Sequence, residues 1–203
     1  MMAAGTESDS SVRTREYFSR LYQENGDPWN YESSEYETEK YEASLRALPR
    51  KQYQSAFEIG CSIGVFTAKL APLCKRLLSV DLSNAVLKQA KERCQQFPHV
   101  TFKAISITDE YPTGPFDLTV LSEVGYYLEP EALAQVSDNI TIHAGLQAHL
   151  LLVHWLAPVL DYPLRGDDVH EHFLHRSEWH SLLQFRTEFY RLDVLERRDE
   201  SDS

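Results

Sequence analysis

No run of about 18 apolar residues occurs in the 203-residue sequence, so no stretch reads as a membrane-spanning helix. Residues 1–11 are small and polar and lack the apolar centre of a signal peptide. Basic residues are few: 20 Lys and Arg stand against 31 Asp and Glu, a formal net charge of −11. Nucleic acid and anionic lipid both require clustered positive charge, so neither is expected as a partner. Cysteine is limited to Cys61, Cys74 and Cys94, an odd number without the paired spacing of a metal site. A reduced, cytoplasmic chain with no bound metal is expected. There is no internal repeat, and the length suits a single domain spanning 1–203. Residues 1–11 and 198–203 read as disordered tails, small or charged and short of apolar residues.

The informative stretch is Ser55 to Phe66, which predicts a short buried strand (Ala56 to Ile59), a glycine turn (Gly60 to Gly64) and a helix opening at Val65. Such a turn lets backbone approach a ligand and aims free helix N–H groups at it. The dinucleotide fingerprint G-x-G-x-x-G is not met, because Ser62 stands between the two glycines. Glu58 would repel a pyrophosphate but attract a cation. Leu77 to Leu82 predicts a second apolar strand whose end carries Asp81, roughly 20 residues on, where an acid can take both hydroxyls of a ribose. A positively charged nucleoside fits this combination.

Glu58-Ile-Gly60-Cys-Ser62-Ile-Gly64 resembles the first motif of the class I S-adenosylmethionine (SAM)-dependent methyltransferases, with Ser62 in place of the middle glycine. The N-terminal segment adds to this. A helix is predicted from Val12 to Glu24, then the loop Asp27-Pro-Trp-Asn-Tyr31, then a helix from near Ser34 to Leu48, ending before Pro49. Asp27 to Tyr31, with Ser34, Tyr36-Glu37 and Lys40-Tyr41 after it, is similar to the start of the nodulation protein S (NodS-like) branch. There the segment closes over the SAM site, so residues 12–49 are expected to form a helical cover. An aromatic ring beside a sulfonium gains a cation–π term of about 0.5–2 kcal/mol, which suits Trp29 and Tyr31 on their loop.

The remainder predicts a Rossmann-like α/β fold: a doubly wound, mostly parallel sheet of six or seven strands with helices on both faces. Helices are expected over Phe66 to Cys74, over Ala85 to Cys94 behind a Ser83 cap, and from Pro130 to about Ala144. Strands are expected at His99 to Ile105, Phe116 to Ser122, His149 to Trp155 and Phe189 to Arg197, with a further short one over Trp179 to Phe185. Ligands of such sheets lie beyond the carboxyl ends of the strands. Ser122 and Glu123 end one strand and His154 the next, so Glu123 and His154 are the candidate groups for taking a proton from an acceptor.

The resemblance implies SAM as cofactor, S-adenosylhomocysteine as product, and a contact set of Trp29, Tyr41, Glu58, Gly60, Cys61 and Gly64. It adds Asp81 and Leu82, then Ser122, and Ser106 with Ile107 where the wider fold often has an acid for the adenine amino group. Asp109 is the alternative there. For the acceptor it implies Tyr31, Tyr126, Tyr127, Trp155 and His170. The segment Ala157 to Glu171 also resembles this branch, and Asp167 reads as the cap of the helix that follows. His170, His172 and His175 invite a metal, but they lack the H-E-x-x-H spacing, and His170 and His172 point to different sides of a helix. The family implies methylation of a small molecule, with an amino group of an amino sugar as acceptor and a sugar deacetylase or glycosyltransferase as pathway neighbour. A small-molecule O-methyltransferase and a SAM-binding regulatory subunit without turnover are the alternatives.

Overall fold

The computed structural model describes residues 17, 18, 20–157 and 162–198. The predicted N-terminal tail, the start of the first helix at Val12, residues 158–161 of the C-terminal loop and the last five residues of the predicted tail lie outside these. Residues 20–24 are helical. Helix α1 (Glu35–Ala47) follows, with Ser34 at its N-cap accepting from the Glu37 amide at 3.2 Å.

Seven strands form one sheet: β1 (Ala56–Ile59), β2 (Leu77–Asp81), β3 (Val100–Ala104), β4 (Phe116–Ser122), β5 (Ala144–Trp155), β6 (Trp179–Arg186) and β7 (Tyr190–Arg197). Their spatial order is β3-β2-β1-β4-β5-β7-β6, with β7 antiparallel to both neighbours and every other pair parallel. The helices between them are α2 (Val65–Leu70), α3 (Asn84–Arg93), α4 (Pro130–His143) and α5 (Gly166–Leu174). This is the expected doubly wound sheet, and the seven-strand alternative is the one adopted.

Strand alternation divides the core into two layers. Ala56, Leu77, Leu118, Val120, Leu151 and Val153 face Tyr41 of α1 and Phe66 and Leu70 of α2. Phe57, Ile59, Leu121, Leu150 and Leu152 face Leu133, Val136 and Ile140 of α4 and Val169 and Phe173 of α5. Asp117 fixes the entry to β1, its carboxylate accepting from the Gln54 and Ser55 amides at 2.8 Å each.

Three local expectations are corrected. The helix expected to reach Cys74 stops at Leu70 and continues as a 3-10 turn, Ala71–Leu73, because Pro72 has no N–H to extend it. Ser83 occupies the N-cap of α3 without a side-chain bond; its amide donates to Asp81 Oδ1 instead, at 3.1 Å. Arg165, not Asp167, is the N-cap of α5, and Asp168 accepts from the Arg165 amide at 2.8 Å. Asp167 pairs with Arg186 and Arg191. No helix of the described residues is long and apolar enough to cross a membrane.

Candidate active site

The strand order reverses between β1 and β4, and the site is built beyond the carboxyl ends of these two strands. After β1 the chain turns through positive φ at Gly60 (+78°), Ser62 (+49°) and Gly64 (+78°). A Cβ on Gly60 would overlap the Val124 side chain, so β1 and the β4 rim approach each other only because this residue has none. Ser62 holds a conformation that favours glycine, which accounts for the glycine usual there. Its side chain gains a contact in exchange: Ser62 Oγ and Tyr22 Oη share a hydrogen bond of 2.5 Å, which ties the N-terminal segment to the turn.

Glu58 is 3 % exposed in the middle of the sheet, opposite Ser79. Thr67 Oγ1 and Ser79 Oγ donate to its Oε2 at 2.7 and 2.6 Å, which leaves Oε1 for the cavity. Burial pushes its carboxyl up to about 7; the two hydroxyls offset part of this and the charge of Asp81 adds to it. Asp81 is aimed by the Ser62 amide on Oδ2 (2.9 Å) and the Ser83 amide on Oδ1 (3.1 Å). Burial raises its proton affinity as well, and those amide bonds oppose the rise.

Glu123 follows β4 with φ +56°, an unfavourable backbone state for a residue with a Cβ. Three donors hold its carboxylate. Lys40 Nζ reaches Oε1 at 2.7 Å, while Tyr126 Oη and the Trp155 amide reach Oε2 at 2.6 and 3.0 Å. The carboxylate is thus fully oriented on a strained backbone at the carboxyl rim of the sheet, and it lines the site's cavity.

The expectations for His154 and His170 are corrected. Both are 0 % exposed and neither lines the cavity. His154 shares the face of Leu150 and Leu152, so strand periodicity aims it at α5 instead of the rim. The Gly125 amide donates to His154 Nε2 at 3.1 Å, which places the His154 proton on Nδ1. That proton goes to His170 Nε2 (3.1 Å), and His170 Nδ1 donates to Asp193 Oδ2 at 2.8 Å. Both rings are therefore neutral, in keeping with burial holding both below the usual histidine range. The chain from Asp193 to Gly125 supports the turn after Glu123. His154→Gln, whose amide can accept from Gly125 and donate to His170, is expected to keep turnover within about threefold. A general base at this position would lose about 10²- to 10⁴-fold in the same steady-state assay.

A cavity of about 410 Å³ joins these groups, within the range of small-molecule sites. Trp29, Tyr31, Tyr41, Glu58, Gly60, Cys61 and Asp81 line it, as do Leu82, Ser106, Ile107, Ser122, Glu123 and Tyr127. Four other expected contact residues do not reach it. Gly64 packs against Ala90 of α3, where a Cβ would crowd that residue's backbone. Tyr126 supports Glu123 and stacks on Tyr162 (5.2 Å), and Trp155 contributes its amide while its ring stacks on Phe189 at 5.8 Å. His170 is the fourth. At the far end Ser106 Oγ bonds Thr108 Oγ1 (2.7 Å), which donates to Asp109 Oδ1 at 3.2 Å, so both candidate partners for the adenine amine stand in one network.

Sequence reasoning missed Phe18 and Tyr22, which continue the aromatic wall begun by Trp29 and Tyr31, stacked at 5.6 Å. It also missed Lys40 and Glu37 behind Glu123. The tyrosine recurrence beside Lys40 was the available signal. His172 Nε2 meets Ser137 Oγ at 2.7 Å, Nδ1 of the exposed His175 meets the Glu171 carbonyl, and His170 meets Asp193, so the three histidines serve separate partners.

This fold, with an acid in β1 just before the glycine turn, a second acid ending β2 and a rim carboxylate after β4, defines a class I SAM-dependent methyltransferase. The sequence profile of nodulation protein S (NodS) matches residues 15–148. Nodulation protein S of Bradyrhizobium diazoefficiens is 31 % identical over 175 residues, 85 % of this chain and 78 % of that protein. The chain belongs to the nodulation protein S family. Among solved structures, the N-methyltransferase NodS of Bradyrhizobium japonicum WM9 with S-adenosylhomocysteine superposes with a TM-score of 0.80 at 24 % identity, covering 94 % of this chain and all of that one. A methyltransferase of Pseudomonas syringae is 32 % identical, with a TM-score of 0.69 over 80 % of this chain and 99 % of its own.

Proposed function

We propose that this protein transfers the methyl group of SAM to an amine of a small metabolite, with an amino sugar as the acceptor class. The observation that carries the proposal is a single cavity joining Glu58 and Asp81 at one pole to the fixed carboxylate of Glu123 at the other. Bound SAM supplies a methyl group activated by a sulfonium. Glu58 Oε1 is the partner for the cofactor's cationic methionine part, Asp81 for the ribose hydroxyls, and Ile107 with Leu82 for the faces of the adenine. In this reading the chain is one domain and residues 12–49 are its cover, whose rings exclude water from the site.

The protein's share of the chemistry is alignment and control of a proton. An ammonium has no lone pair and must lose a proton before it can attack. Glu123 is placed to orient an amine N–H and draw that proton away, directly or through a water. The named activity of the Bradyrhizobium relative favours nitrogen over oxygen as the acceptor. A free amino sugar arises by removal of an acyl group, so a deacetylase is the reaction expected upstream.

Methyl transfer measured over a panel of amino sugars, simple amines and matched hydroxyl compounds tests the proposal. Turnover on amines supports it, and transfer only to hydroxyls, or cofactor binding without turnover on any of them, overturns it. Asp81→Ala is expected to weaken S-adenosylhomocysteine binding by about 1.5–3 kcal/mol in calorimetry, the range for hydrogen bonds to charged groups. Tighter binding of NAD than of SAM would contradict the cofactor assignment.

A further inference from the structure

The geometry points to Lys40 as a positioning residue, through which helix α1 holds the Glu123 carboxylate toward the acceptor. The inference rests on the amine reading above and deepens it. Lys40 is 2 % exposed, although it lies on a helix with solvent on one side. Its Nζ stands between two carboxylate oxygens, Glu37 Oε1 at 2.9 Å and Glu123 Oε1 at 2.7 Å, and lies 5.2 Å from the centroid of the Tyr36 ring.

The two oxygens of Glu123 are held differently. Oε2 takes its donors from the rim itself, Tyr126 and the Trp155 amide, whereas Oε1 is held by Lys40 from α1. Removing Lys40 therefore frees the carboxylate to rotate about bonds that the rim donors alone do not fix. It also leaves the carboxylate with hydroxyl and amide partners only, Tyr126 Oη and the Trp155 amide. Glu37 is the second anchor. A buried lysine tends to lose its charge, and here the pull of Glu123 and Glu37 outweighs burial and keeps the ammonium.

The other titratable groups around this trio are Tyr31, Tyr36 and Tyr41 from the cover, Tyr126 from the rim, His154 of β5 and Tyr190 of β7. Burial raises each tyrosine and lowers the histidine, so all six are uncharged near neutral pH. Lys40 is thus the cation that faces the Glu123 carboxylate, at 2.7 Å from Oε1.

The test compares Lys40→Met, Lys40→Arg and Glu37→Gln for turnover on an amine acceptor across pH and for S-adenosylhomocysteine affinity. Lys40→Met is expected to lower kcat by about tenfold or more, with affinity changed less than about threefold. Lys40→Arg should recover part of kcat, because charge matters more than shape here. A kcat within threefold of the parent in Lys40→Met overturns the inference. So does an equal loss in Met and Arg variants that follows their Tm. Should Lys40→Met fail to fold, Glu37→Gln decides: a several-fold loss of kcat at unchanged affinity supports the role, and parental kcat overturns it. An acceptor-independent readout separates this inference from the amine reading. In 15N-lysine protein saturated with S-adenosylhomocysteine, Lys40 Nζ should give a protected ammonium resonance that shifts on Glu123→Gln. Absence of that resonance counts against Lys40; its presence without turnover on any amine counts against the acceptor class alone.

Discussion

Lowering the pH from 8 to 5.5 is expected to weaken S-adenosylhomocysteine binding by about thirtyfold, through protonation of Glu58. The carboxyl of Glu58 is pushed up to about 7 in the ligand-free protein, chiefly by burial. The form that attracts the α-ammonium of the ligand's amino-acid end is the ionised one. Affinity is therefore full well above pH 7 and falls about tenfold per unit well below it. Asp81, also raised by burial, acts in the same direction. For folding the sign is opposite. A raised carboxyl stabilises the folded state most below its unfolded value, and this contribution is lost as pH rises through the folded one. For Glu58 it disappears between about pH 4.5 and 7, on the order of 3 kcal/mol in the ligand-free chain. Ligand binding offsets that loss, so the ligand-induced rise in Tm should be larger at pH 8 than at pH 5.5. Calorimetry in two buffers of different ionisation enthalpy should detect proton release on binding near pH 7. Glu58→Gln should bind weakly at every pH and flatten the profile. A dissociation constant that changes less than threefold between pH 5.5 and 8 would exclude Glu58 as the titrating contact.

That Glu58, Gly60 and Asp81 converge on one cavity was legible in the sequence for physical reasons. Glu58, Gly60 and Asp81 sit at the ends of apolar runs, and a parallel sheet presents the ends of such strands on one rim. The rim position of Glu123 followed from the same logic. What misled was the inference from rim to cavity. His154 ends its strand too, but its side chain lies on the α5 face; its partner His170 and that residue's own partner Asp193 come from parts of the chain 16 and 39 positions later. Pairing across such distances leaves no local pattern. Gly64 illustrates a second limit, since a glycine required by positive φ and by Ala90 reads the same as one required by a ligand. Lys40 illustrates a third. Charged residues of a helix read as its solvated face, and the tyrosines beside Lys40 in α1 mark a packed face without saying that the lysine is buried against Glu123.

The contact between Tyr22 and Ser62 links these observations to mechanism. Among the described residues, two side-chain hydrogen bonds tie the N-terminal segment to the sheet rim, Tyr22 at the glycine turn and Lys40 at Glu123, beside the ring contacts of Phe18 with Tyr127 and Tyr36 with Trp155. In the proposed function the first lies on the cofactor side and the second on the acceptor side, so that aromatic enclosure and orientation of the rim carboxylate would arise together.

Replacing Glu123 by Gln is expected to lower turnover on an amine by about 10²- to 10⁴-fold, the usual contribution of a positioned acid or base. The amide has nearly the same shape but neither charge nor proton affinity. The interaction removed is made with the acceptor, so S-adenosylhomocysteine affinity should change by less than about threefold. Some loss of Tm is expected as well, because Lys40 gives up its 2.7 Å partner and keeps only Glu37. That loss does not account for the kinetic effect if the variant binds product normally and remains folded at the assay temperature. Glu123→Asp supplies the control. It retains the charge but withdraws it by one methylene from Lys40 and the acceptor, so its turnover should fall between those of the parent and the amide. Raising the pH should narrow the gap between Glu123→Gln and the parent, because solvent then deprotonates more of the free amine before it binds. A Glu123→Gln enzyme within tenfold of the parent rate, or a deficit that is constant across pH, would mean that alignment alone carries the reaction and that solvent takes the proton.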